Sequence, residues 1–160
     1  MRDRRLVLGG VVAALLCMPM TGHAASSRCD PVTYSARHDG RTNDGPAIQR
    51  AITACSEAGG GVVSLTSGTW LSGPLSLENH VTLHLEKGST LLGSSDTHLF
   101  HWAFLGKAAQ PGEALVSAID VQDVAITGQG HIDGNGAAVW WPQAVQAHKT
   151  QTSGPLPYGP

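Results

Sequence analysis

The sequence predicts a solenoid of short parallel β-coils that carries a single helix. Three features predict it: an apolar period that switches from helical to two after Gly61, strand runs of only about five residues, and corners built from lone glycines or mixed polar pairs. The runs are GVVSL, GPLSL, VTLHL, STLLG, LVSAI and VAITG. In VTLHLE the inward set is Val81, Leu83 and Leu85, leaving Thr82, His84 and Glu86 facing out, so only one face is apolar. Hairpins would call for two-residue Asn-Gly or Asp-Gly loops between longer strands. Corners and few aromatic residues instead suit coils in which each strand stacks on the one a full turn later. A β-sandwich is the alternative.

The one helix lies within Asn43 to Gly61. Ile48, Ala51, Ile52 and Cys55 fall at i, i+3, i+4 and i+7, which gives a single buried stripe. Asp44 is placed to cap its start, Pro46 is tolerated in the first turn where amides are unpaired anyway, and Gly59-Gly60-Gly61 stops it. Cys55 lies on the buried stripe.

The N-terminus reads as a processing signal. Arg2, Arg4 and Arg5 precede an apolar core from Leu6 to Met18, and Gly22 to Ala24 supply the small residues of a cleavage site, so residues 1–24 are expected to be removed after Ala24. The core is shorter than the roughly 20 residues that span a bilayer. No membrane attachment is expected after cleavage, and the product is secreted or periplasmic. Acylation at Cys17 is disfavoured by Leu16, where a small residue is normally needed. Two cysteines then remain, Cys29 and Cys55, and an oxidising compartment favours one disulfide between them over two buried thiols. Neither has a close Cys or His at ligand spacing, so no metal is expected.

With a net charge of −2 and its ten Lys and Arg scattered or gathered at the extreme N-terminus, the chain has no electrostatic footprint for nucleic acid.

The stretch Tyr34 to Asp96 resembles the N-terminal part of glycoside hydrolase family 28, the polygalacturonases. Asp39, Gly40, Thr42 and Asp44 match its Asp-Gly-x-Thr-x-Asp; Ala47, Ile48, Gln49, Ala51 and Ile52 match the helix; Gly59 to Gly61 match the break. LSGPLSLENHVTLHLEKGSTLLG, Leu71 to Gly93, is the most discriminating part, because the opening motif also occurs in related lyases and phage tail spikes. Thr66 and Trp70 depart from the family's usual proline and tyrosine. A second match runs from Ala114 to Trp141 and includes GQGHIDGNG and the Trp140-Trp141 pair. The resemblance implies an all-β, right-handed parallel β-helix of the pectin-lyase-like kind, with the helix capping its N-terminal end. Residues 25–141 would be the N-terminal part of that domain and 142–160 a loop or truncated tail. A coil left open at such an end is expected to promote aggregation or partial folding.

The resemblance also implies inverting hydrolysis of α-1,4 galacturonan. The means are aspartates in Asn-Thr-Asp and Asp-Asp motifs, a histidine in Gly-His-Gly and a basic Arg-Ile-Lys. None of these motifs occurs in the 160 residues, so no catalytic residue is assigned. The carboxylates present suit other work. Asp39 and Asp44 belong to the turn and cap before the helix, Asp120 and Asp123 would face opposite sides of a strand, and Asp133 would cap a glycine-rich corner. GQGHIDGNG is no dinucleotide loop, because Asp133 occupies the place of the third glycine and no helix follows. His131 reads as an outward strand residue, and Trp140 and Trp141 as packing residues before sugar-stacking ones. The expected partner of the parent enzyme is an acidic polysaccharide, polygalacturonate or pectin, with no cofactor and a monomeric state. A non-catalytic polysaccharide-binding module is the alternative, although Arg28, Arg37, Arg41, Arg50, Lys87, Lys107 and Lys149 form no evident cluster for uronate carboxylates. A calcium-dependent lyase would need an acidic cluster that is not readable here.

Overall fold

The computed structural model describes residues 29–101, 107–138 and, in the tail, 141, 142, 145, 146 and 149. The proposed signal, with Cys17 and Arg28, and Trp140 lie outside the described residues. The chain order is a 3-10 turn Pro31–Tyr34, β1 Asp39–Asn43, helix α1 Gly45–Glu57, β2 Gly61–Leu65, β3 Gly68–Ser72, β4 Leu75–Ser76, β5 Val81–Leu85 and β6 Ser89–Gly93. A second 3-10 turn Thr97–Leu99 follows, then β7 Val116–Ser117, β8 Ala125–Gly128 and β9 His131–Asp133.

Among the described residues all strand pairs are parallel. They form three sheets in the orders β1-β3-β6-β9, β2-β5-β8 and β4-β7. No sequential neighbours pair, so each strand meets its partner only after the chain has gone round. This is a parallel β-helix. One coil takes about twenty residues, as Gly61 pairing with Val81 and Gly68 with Ser89 show. The next coil is longer, because the chain leaves the wall after Gly93 and it is Val116 that pairs with Leu75.

Register turns the period-two pattern into columns. Val63 lies beside Leu83 and Leu83 beside Ile126 in one sheet, and Trp70 beside Leu91 and Leu91 beside Ile132 in another. Val63, Leu83, Trp70 and Leu91 are fully buried, whereas Ile126 and Ile132, at the end of each column, are each 47% exposed. Val81, Leu83 and Leu85 point inward as expected, with Thr82 and His84 half-buried outside. Helix α1 packs on β2, β3, β4 and β5, burying Ile48, Ala51, Ile52 and Cys55 against the first coil. Cys29 and Cys55 are bonded, S–S 2.10 Å, tying the segment before the 3-10 turn to the helix.

Close stacking makes one glycine indispensable. Gly128 has φ +108°, and a Cβ there would run into the carbonyl of Leu85, the same oxygen that accepts the amides of Gln129 and Gly130.

Three expectations need correction. Asp39, read as part of a turn, opens the strand Asp39–Asn43, which pairs with β3 because its backbone meets Thr69 and Leu71 one coil on. The LVSAI and GPLSL runs shrink to Val116–Ser117 and Leu75–Ser76. Asp120 and Asp123 therefore sit in a loop and not on a strand, with φ of 53° and 55°. Such left-handed corners suit Asp, whose short side chain tolerates that region better than most.

Candidate functional site

The carboxylates are the natural place to look for glycosidase chemistry, which needs a carboxylic acid and a second carboxylate facing it across the scissile bond. In this chain Asp39, Asp44 and Asp133 are spent on the backbone. Asp39 Oδ1 accepts the amides of Arg41 and Thr42 at 2.9 and 2.8 Å, and its Oδ2 accepts the Thr42 hydroxyl at 3.0 Å. The Thr42 and then the Arg41 amide hold its carboxyl at about 2, below the ordinary 3.8.

Since the folded value lies below the unfolded one, the contribution of Asp39 is complete above the unfolded pKa. It is lost as pH falls from there through about 2. A carbon-13 titration of its side-chain carboxyl should show a midpoint near 2; a midpoint at or above the ordinary value would contradict these bonds.

Asp44 corrects another expectation. It precedes the helix but its side chain makes no cap bond, because its backbone is already helical at φ −83°, ψ −9°. A capping side chain needs extended backbone to fold over the first turn. Instead Asp44 Oδ1 and Oδ2 accept the amides of Arg37 and His38 at 2.7 and 2.8 Å, and the residue is only 1% exposed. It locks the strand entry onto the helix start. Asn43 takes over at the first turn, its Oδ1 accepting the Gly45 amide at 3.0 Å.

Asp133 and Asp123 are engaged in other ways. Asp133 ends β9 and accepts the Asn135 amide at 2.8 Å. Asp123 Oδ2 lies 3.1 Å from His80 Nδ1, an exposed pair joining adjacent corners. His131 is exposed on β9 beside Thr90, and His84 Nδ1 lies 2.8 Å from the Thr127 hydroxyl. Trp141 is 69% exposed.

Between the helix start and the chain that leaves the wall is a cavity of about 190 Å³, lined by Asn43, Pro46, Gln49, Gly73, Pro74 and Leu99. Among the described residues its lining offers amides and apolar carbon and no titratable group. Gln49 is committed to the wall, donating to the Ser76 carbonyl and accepting the Ser76 amide. Among the described residues no three His, Cys, Asp or Glu side chains gather to hold a metal ion. The cations are spread over separate elements: Arg37 before β1, Arg41 in it, Arg50 on α1 and Lys87 between β5 and β6.

Comparison with known proteins supplies what these residues do not. No family model matches the chain. A probable polygalacturonase of Vitis vinifera is 33% identical over 124 residues, covering 69% of this chain and 25% of that protein. An exo-poly-α-D-galacturonosidase of Dickeya chrysanthemi is 34% identical over 135 residues, covering 78% and 21% respectively. The crystal structure of a hyperthermoactive exopolygalacturonase from Thermotoga maritima superposes with a TM-score of 0.63 at 29% identity, covering 80% of this chain and 29% of that one. The matched part of this chain belongs to glycoside hydrolase family 28.

The chain thus spans about a quarter or less of the length of these curated relatives. For a family 28 segment the geometry above is coherent. Its aspartates build the entry, the helix junction and the corners of the coil. Sequence reading overlooked Trp70 as a core residue and Asp44 as a lock. The first could have been found from its in-phase position in GTWLS, while the second had no sequence signal.

Proposed function

We propose that the protein containing this region is an exported polygalacturonase that hydrolyses α-1,4 bonds of galacturonan with inversion. The observation that carries the reading is the 34% identity to an exo-poly-α-D-galacturonosidase, sustained over 135 residues. Export would follow cleavage after Ala24, and the described residues contain no helix long and apolar enough to cross a membrane. Residues 25–141 would form the first coils of the catalytic domain, acting on polygalacturonate as a monomer.

Inversion needs one carboxylic acid to protonate the leaving oxygen and a carboxylate roughly 6.5–9.5 Å away to activate water. Asp39 and Asp44 cannot be that pair while both are engaged by backbone amides. The family resemblance implies that the acid and base lie in Asn-Thr-Asp and Asp-Asp motifs, which these 160 residues lack. The 160-residue chain alone is expected to release no reducing ends from polygalacturonate; release would overturn the assignment of the chemistry to other residues. A longer chain carrying those motifs after residue 160 is expected to release galacturonate with inverted anomeric configuration. Retention, or activity on a different polysaccharide only, would overturn the mechanism or the substrate.

A further inference from the structure

The chain has three asparagines, Asn43, Asn79 and Asn135, and the structure treats them differently. The amide nitrogen that follows Asn43 is that of Asp44, which donates to the Leu71 carbonyl at 2.8 Å. The one that follows Asn79 is that of His80, which donates to the Gln122 carbonyl at 3.0 Å. The one that follows Asn135 is that of Gly136, which has no hydrogen-bond acceptor among the described residues; only its carbonyl is used, by the Trp141 amide. Gly136 is exposed, bears no side chain, and among the described residues has nothing within 4 Å of where a Cβ would stand. Asn135 occupies a left-handed corner at φ 56°. Its Nδ2 donates to the Gly93 carbonyl at 3.0 Å, which ties the corner after β9 to the end of β6.

We propose that Asn135–Gly136 is a site of spontaneous deamidation whose reaction unties this corner from the preceding coil. The Gly136 nitrogen attacks Cγ of Asn135 and gives its proton to solvent. The Cγ–Nδ2 bond breaks, and Nδ2 leaves as ammonia after taking a proton from water. Water then opens the resulting five-membered imide at either carbonyl, yielding aspartate or isoaspartate at 135. The atom expelled is the one that bonds Gly93. The carboxylate that replaces it has no donor to offer that carbonyl, and it stands beside Asp133, which already accepts the Asn135 amide.

The test is to incubate the folded 160-residue chain in mildly alkaline heavy-oxygen water and map the label by peptide mass spectrometry. Label should enter the peptide containing Asn135 and leave those of Asn43 and Asn79 unlabelled. Gly136→Ala, which the open space at that position accommodates, should abolish most of it. An unlabelled Asn135, or equal label at all three sites, would overturn the assignment. Separately, Asn135→Asp should speed amide hydrogen exchange across residues 131–138; exchange indistinguishable from the parent chain would overturn the untying.

Discussion

Trp70→Ala is expected to destabilise the chain by about 3–5 kcal/mol, the usual range for deleting a buried large aromatic. Trp70 is fully buried, stacks on His38 with ring centroids 4.9 Å apart, and donates its indole Nε1–H to the Thr66 carbonyl at 2.8 Å. It stands in the same column as Leu91, so its loss opens a cavity between the first and second coils. Against a total stability of about 5–15 kcal/mol, such a loss could unfold the domain. Trp70→Phe is the informative partner, since it keeps most of the volume but leaves the Thr66 carbonyl without its donor, costing on the order of 1–3 kcal/mol. Urea midpoints for the two variants and the parent chain decide it. A Trp70→Ala midpoint within error of the parent would mean that the first coil does not pack as described.

Reducing the Cys29–Cys55 bond should rank second. The two residues are 26 apart in sequence, and Cys55 is fully buried on the inner stripe of α1. Closing a loop of that size is worth about 3 kcal/mol in a chain-entropy description. Strong reductant, or paired Cys29→Ser and Cys55→Ser substitutions, should lower the urea midpoint by a corresponding amount. Peptide mapping of the oxidised chain should recover the peptides of Cys29 and Cys55 joined. Finding both as free thiols, or equal midpoints with and without reductant, would remove the bond from the account of stability.

The helix could be read because Ile48, Ala51, Ile52 and Cys55 repeat at helical spacing, and burial rewards that spacing wherever the helix lands. VTLHL and STLLG could be read because strict alternation has one interpretation in an extended chain with one wet face. Asp39–Asn43 could not, since DGRTN is polar throughout and is a strand only because β3 offers it a ladder. Nor could Asp120 and Asp123, where an apolar run next door suggested an extended conformation and the corner stacked on Asn79–His80 imposed a left-handed one.

Local patterning by itself thus determined the helix, the period of the walls and the short parallel coils, because each depends on residues within a few positions of one another. The tertiary structure alone decided what Asp44 and Asp123 do. Whether a carboxylate caps a helix, locks an entry or pairs with a histidine depends on which amide another coil or turn brings within 3 Å, as Asp44 meeting Arg37 and His38 shows. Asp44 meets those amides because the strand entry folds back onto the helix start. Asp123 meets His80 because one coil stacks on the next, which joins residues about twenty or more positions apart and beyond the reach of any local pattern.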